Sequence, residues 1–282
     1  MSSAAIRQIE PIQLSVCRIT TFHDTTALLH ATGFFYGLPA GRMALVTNWH
    51  VFSGRRADNP AFTLDGSGAI PNRIVIRPIT VTQNSNGQIL SQEVTIGLYD
   101  VNGRADWLQH STHGHLADVA VIGLGDMMSP YQIEGINNVA NAYDMSIALG
   151  DHVFILGYPH GFSYFIDTPI WKHGVIASEP QLETVDARGR IVIDATTRSG
   201  MSGSPVIKRS EIGYVNLDGS VVTRPRAARL IGVYASRPAL ADPNEDVSQA
   251  LPAAEIGFVY KSGLIEDVIV RGVRAPDYGT LP

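Results

Sequence analysis

An all-β fold closed by one C-terminal helix is what this sequence predicts, on three observations. Many short β-branched runs are separated by Gly, Pro, Asn and Asp, the punctuation of strands and turns. No repeat of fixed period, low-complexity tract or heptad pattern runs through the chain. Only 261–270 changes period: Leu264, Ile265, Val268 and Ile269 fall at helical spacing, with Glu266 and Asp267 between them.

Strands are expected over 44–47, 73–79, 93–98, 119–124, 152–156, 191–194, 204–208, 230–234 and 256–260. Residues 83–87, Gln-Asn-Ser-Asn-Gly, read as a hairpin turn, because Asn and Gly tolerate positive φ. The stretches 53–72 and 238–254 are rich in Pro, Asp, Gly and Ala and read as surface loops. Residues 1–272 are expected to form a single unit, with 273–282 as a tail.

At 282 residues, 45% hydrophobic and 17% charged, the chain can bury a full core and lacks the polar bias of disorder. A net charge of −5 and scattered Lys and Arg give no broad basic surface, so nucleic acid is not an expected partner. Cys17 is the only cysteine, so no disulfide forms within the chain and packing must hold the fold. Arg7 and Glu10 interrupt the N-terminus, which does not resemble a signal peptide, and no apolar run is long enough to span a bilayer. The expected setting is a reducing cytoplasm, with export lacking a visible signal as the alternative.

Three segments carry chemistry. In Gly200-Met201-Ser202-Gly203-Ser204-Pro205 the glycines permit a tight turn that exposes the Ser202 hydroxyl while the Gly200 and Ser202 amides converge on an oxyanion. A buried strand, 43–47, runs into Asn48-Trp49-His50, which holds an imidazole at a rim as candidate base. Asp118 stands at the mouth of the apolar run 119–122, where a carboxylate is costly to bury without a partner such as an imidazole N–H. Singly, these are a serine in a glycine turn, a satisfied rim histidine and a strand-end turn former; together they make a candidate nucleophile, base and orienter. Their order, His50, Asp118, Ser202, differs from that of subtilisins and α/β-hydrolases. His110, His113 and His115 lack a matching cysteine or carboxylate pattern and are expected to be structural, so neither metal nor cofactor is expected.

With these three segments the sequence resembles the trypsin-like peptidases, and within them the disulfide-poor bacterial branch of HtrA-type and glutamyl endopeptidase-type enzymes. Further likenesses are Gly150-Asp151-His152-Val153-Phe154-Ile155-Leu156-Gly157-Tyr158-Pro159, Gly174-Val175-Ile176, Leu230-Ile231-Gly232-Val233-Tyr234 and Gly257-Phe258-Val259-Tyr260-Lys261. The resemblance implies a chymotrypsin-like fold: two six-stranded antiparallel β-barrels, about 12–135 and 145–260, with a helix over 261–272. The site would lie between them, with His50, Asp118 and Ser202 as catalytic residues of a serine endopeptidase and Gly200 and Ser202 forming the oxyanion hole. Thr196, Tyr234, Ala235, Ser236, Arg237 and Gly257 would bind substrate, a protein or peptide.

Departures from the family pattern also matter. Met201 stands where trypsin has an Asp that pairs with a new α-amino terminus, so zymogen activation of that kind is not expected. Thr196 supplies no acid at the pocket base, and Tyr234 replaces the histidine of glutamyl endopeptidases. Arg237 is read as a solvated loop charge rather than a ligand for acidic side chains. The alternatives are a latent enzyme switched on by a protein partner and a catalytically silent peptide-binding scaffold on the same fold.

Overall fold

The computed structural model describes residues 9–81, 89–131, 133–182, 189–235 and 255–276. The N-terminal half contributes β1 (Val16–His23), β2 (Thr26–Gly37), β3 (Met43–Thr47), β4 (Arg73–Arg77), β5 (Ile79–Val81), β6 (Ile89–Ser91), β7 (Val94–Gly97), β8 (Trp107–Gln109) and β9 (Ala120–Gly123). The C-terminal half contributes β10 (His152–Gly157), β11 (Ile170–Ile176), β12 (Arg190–Asp194), β13 (Pro205–Ser210), β14 (Gly213–Val215), β15 (Val221–Thr223), β16 (Ala227–Ala235), β17 (Ile256–Lys261) and β18 (Val273–Arg274). The helices are α1 (Pro11–Leu14), α2 (Trp49–Ser53), α3 (Ile136–Val139) and α4 (Gly263–Arg271).

The chain adopts the chymotrypsin-like double-barrel fold with a C-terminal helix. Strands β10, β11, β12, β17, β16 and β13 close into a six-stranded barrel. The first unit is a curled sheet of eight strands in the order β18-β8-β9-β3-β2-β1-β4-β7, whose two edge strands do not pair. It departs from the expected closed six-stranded barrel partly because β18 returns from the C-terminus and pairs with β8, Val273 opposite Gln109. The tail expected from residue 273 therefore begins as an edge strand of the first barrel.

Period-two alternation sorts side chains between three cores. On β3 and β9, Leu45, Ala120 and Ile122 point into the first barrel with Trp49, Phe52 and Trp107, whereas Ala44, Val46 and Val121 face outward. The second barrel is filled by Val153, Ile155, Ile193, Val206 and Val259. The outward set is not exposed: it packs against Leu156, Tyr158, Ile207, Val233 and Tyr260 of the second barrel and against Leu264, Ile265 and Val268 of α4. This seam joins the two barrels into one body, so β2 is buried continuously over Ala31–Tyr36, in alternation toward barrel and seam. The helix sits where its period indicates, buried through Leu264, Ile265 and Val268.

Cys17 is wholly buried in the first barrel, where desolvation pushes its thiol far above the usual range. The histidines of the 110–115 loop shape the turn: His110 Nδ1 accepts the amides of Thr112 (3.2 Å) and His113 (3.1 Å), and His115 Nδ1 lies 2.7 Å from the Ala57 carbonyl. Residues 54–72 form neither strand nor helix, as expected for a loop, while 83–87, and 238–254 entirely, lie outside the described residues. No described helix is long and apolar enough to cross a membrane.

A polar clamp crosses the seam at one side. Asp167, in the loop after β10, pairs with Arg18 of β1 at 3.0 Å and with Arg77 of β4 at 3.4 Å, and accepts the Ser91 hydroxyl at 2.7 Å. Burial pushes the Asp167 carboxyl up, but the Ser91 hydroxyl and the two arginines outweigh it and hold the group below the usual carboxylate range. A carboxyl lowered on folding stabilises the fold above its unfolded value and loses that contribution as pH falls through the folded one. Asp167→Asn is expected to cost about 1–2 kcal/mol at pH 7, less than a fully buried pair because Arg77 is 35% exposed. In urea melts the gap between the two proteins should close as pH falls below about 4, the unfolded carboxylate range.

Candidate active site

β3 delivers His50 to the barrel rim through Asn48 and the first turn of α2. Asp118 approaches from the other side, after a 3₁₀ turn over His115–Ala117, in a left-handed conformation (φ 30°) that Asp adopts more readily than most residues. Its carboxylate is bound twice by one residue: Oδ1 accepts the His50 amide at 3.0 Å, and Oδ1 and Oδ2 lie 3.0 and 2.9 Å from His50 Nδ1. Asn48 Nδ2 donates to the Asp118 carbonyl at 2.7 Å, fixing the backbone from which the carboxylate projects. Asp118 is 4% exposed. An ionised carboxylate only accepts, so Nδ1 carries the ring proton and Nε2 is left as a lone pair turned away from Asp118.

Ser202 lies in the other barrel, in the turn leading to β13. Gly200 has φ 93°, and a Cβ there would come within 2.3 Å of the Tyr158 carbonyl, so only glycine fits. Gly203 is equally constrained: a Cβ would stand 2.1 Å from the Thr32 carbonyl. Among the described residues, neither the Gly200 nor the Ser202 amide donates to an internal acceptor. Both amides thus remain unused in a turn whose neighbouring amides are engaged: Met201 donates to Arg198, Gly203 to Tyr234 and Ser204 to Met201.

Thr32, on β2 of the first barrel, holds this turn. Its Oγ1 donates to the Gly200 carbonyl at 2.8 Å and accepts the Tyr158 amide at 3.1 Å; its own amide donates to the Ser202 carbonyl at 2.9 Å. Thr47 Oγ1 donates to the Thr32 carbonyl at 2.7 Å, which ties the strand entering His50 to the same network. Met201, where trypsin has its ion-pairing acid, is wholly buried in the second-barrel core. Apolar burial therefore anchors the turn where trypsin relies on an ion pair. Sequence reading missed Thr32; its only local signal is an uncharged hydroxyl within a strand that is otherwise apolar there.

His50, Asp118 and Ser202 line one cleft of about 980 Å³ between the barrels. Ser202 Oγ makes no hydrogen bond with the His50 ring. Of the six residues expected to bind substrate, Ala235 lines the cleft. Thr196, Tyr234 and Gly257 do not, for steric and hydrogen-bonding reasons. Thr196 Oγ1 is turned to Glu255, and the fully buried Tyr234 ring lies so close to Gly257 that a Cβ there would meet its Cε2 at 2.5 Å. The Tyr234 hydroxyl bonds to Thr197, which does line the cleft. Ser236 and Arg237 lie outside the described residues. Arg190, Arg198, Phe258 and Tyr260 complete the second-barrel wall. Arg190, Phe258 and Tyr260 enter through strand pairing, Arg190 opposite Tyr260, which no local pattern reveals.

A double barrel whose cleft is lined by a carboxylate-bound imidazole and a glycine-framed serine has the architecture of the chymotrypsin-like class. The trypsin-like peptidase domain model matches residues 31–213, and the chain belongs to that family. Two solved structures are similar: an inactive serine-to-alanine mutant form of Rv3671c from M. tuberculosis H37Rv and an inactive form of the Rv3671c protease. The first is 16% identical over 96% of this chain and 90% of that one (TM-score 0.43); the second is 17% identical over 96% and 95% (TM-score 0.45). No curated protein matches the chain.

Thr32→Val keeps the shape of the side chain but strands the Tyr158 amide and removes a bond to Gly200, which should cost about 1–3 kcal/mol in denaturant melts. Gly200→Ala forces a Cβ against backbone at a positive φ. It should lower the melting temperature by several degrees in calorimetry, the scale of a strain of about 1–3 kcal/mol.

Proposed function

We propose that this member of the trypsin-like peptidase family is a serine endopeptidase acting through Ser202, His50 and Asp118. The carrying observation is the double engagement of His50 by Asp118, which sets the tautomer, in a cleft shared with Ser202 and two amides without acceptors. His50 Nε2 takes the Ser202 proton as Oγ attacks the peptide carbonyl, Asp118 stabilises the imidazolium, and the Gly200 and Ser202 amides receive the oxyanion. The imidazolium returns the proton to the leaving amine, and water, activated by the same ring, hydrolyses the acyl-enzyme. Side chains and backbone suffice for every step, so no cofactor enters. The partner of the cleft is a protein or peptide substrate.

A fluorophosphonate probe should label the native chain at one site and fail to label Ser202→Ala. Asp118→Asn should keep the fold and lower kcat by about 10³–10⁴, because the ring would be held in the wrong tautomer. If the native protein resists the probe while remaining folded, with and without peptide, the endopeptidase reading is lost.

A resting state completed by a partner is the second reading, favoured by the missing Ser202–His50 hydrogen bond. In that case labelling should accelerate when a cognate peptide or protein is added.

A further inference from the structure

Away from the cleft, two histidines of the second barrel meet at ring-nitrogen distance. His152 opens β10 and His173 lies within β11, and the strands pair antiparallel with His152 opposite Val175 and Phe154 opposite His173. In that register the two imidazoles are diagonal cross-strand neighbours on one face of the sheet. Both residues are exposed. His152 Nδ1 lies 2.7 Å from His173 Nε2, with ring centres 4.8 Å apart and planes inclined by 34°.

The framework beneath them is stiff. β10 and β11 are each paired on both sides within the closed barrel. Phe154 packs edge-on against His173 at 5.9 Å and against Trp171 at 5.6 Å, which braces the His173 ring. The other close pair, His110 and His113, differs: His110 Nδ1 is taken by the amides of Thr112 and His113, which ties that ring to its own turn. His152 and His173 spend their facing nitrogens on each other.

Two facing lone pairs, or two facing N–H groups, would repel at this separation, so one nitrogen holds the single proton between the rings. A divalent ion in place of that proton satisfies both lone pairs. Each neutral ring then keeps its own proton on the far nitrogen, Nε2 of His152 and Nδ1 of His173, so the neutral pair changes tautomer and releases no proton. With metal–imidazole bonds of about 2.0–2.1 Å, two nitrogens at right-angled to tetrahedral positions stand about 2.8–3.4 Å apart, an opening of less than about 1 Å from the geometry here. Rotation of two exposed side chains supplies it.

We propose that His152 and His173 form a chelating site for a late first-row divalent ion, Cu²⁺, Ni²⁺ or Zn²⁺, the class that imidazole favours, with Cu²⁺ bound most tightly. No third His, Cys, Asp or Glu joins the pair among the described residues, so water fills the remaining positions. The site does not rest on the peptidase reading. His152 stands at the end of β10 remote from Gly157, where a Cβ would meet Ser204 beside the Ser202 turn.

Isothermal titration of the full chain with zinc chloride and with copper(II) chloride, in a buffer that does not coordinate metal, tests the site. One equivalent should bind, and His152→Ala and His173→Ala should each weaken that step by about tenfold or more, because a single imidazole gives no chelate. His173→Gln, which keeps a hydrogen-bonding group beside His152 without a second imidazole, should show the same loss on an unperturbed fold. His50→Ala should leave the step unchanged, which separates it from binding in the Ser202 cleft. In electron paramagnetic resonance the copper(II) complex should show coupling to two imidazole nitrogens, and to one in either alanine variant. Absence of a one-to-one step in the native chain up to about 1 mM metal, the range of a weak complex, overturns the proposal. So does a step that survives either alanine substitution.

Discussion

Thr32 bonds across the line where the two barrels meet through its hydroxyl and its amide, and ties that contact to β3 through its carbonyl. Its hydroxyl reaches Gly200 and Tyr158, its amide reaches Ser202, and its carbonyl takes the Thr47 hydroxyl. A buried side chain with unused donors would penalise the fold, so this residue is satisfied in only one relative placement of the barrels. Thr47 ends the strand that leads to His50, and Gly200 and Ser202 belong to the turn that carries the hydroxyl. One network therefore sets the spacing between the His50 strand and the Ser202 turn, although neither His50 nor Ser202 takes part in it through its side chain.

The apolar seam makes that network rigid. Residues facing outward from β3 and β9 would be exposed in an isolated first barrel, yet here they meet the second barrel and α4. Burial of that surface, worth about 25 cal/mol per Å², favours the docked arrangement over two separate units. The absence of disulfides is consistent with such a seam, because packing between the barrels takes the place of covalent ties. Asp167 adds a polar restraint at the edge, where its two arginines come from strands of the first barrel.

The turn around Ser202 is ordered by burial instead of by an ion pair. Met201 enters the barrel core while the residues on either side turn their amides outward, a geometry that Gly200 alone can adopt at its position. An ordered turn needs no newly created terminus. What remains open is the Ser202–His50 hydrogen bond, a contact that catalytic sites commonly tighten only when substrate is present.

The segments proposed to carry the chemistry stand out locally: glycines around Ser202 for a tight turn, an apolar strand before His50, a single carboxylate at the start of the run that contains β9. The strands that were read are short β-branched runs between turn residues, and α4 announced itself by its period. Among the strands not read are β1, β2, β8 and β11. β2 carries only Thr26 and Thr32 as β-branched residues, and β8 is only three residues long. Of the cleft lining, Ala235 was among the residues singled out from sequence, whereas Tyr234 is turned inward onto Gly257 and Arg190 enters through the pairing of its strand with β17. By itself the sequence determined the chemistry available and the strand-rich character, since both follow from residue types and near-neighbour spacing. The tertiary structure decided which distant strands meet, how Thr32 and Met201 hold the Ser202 turn, and which arginines line the cleft, because contacts between residues far apart in sequence leave no trace in local periodicity.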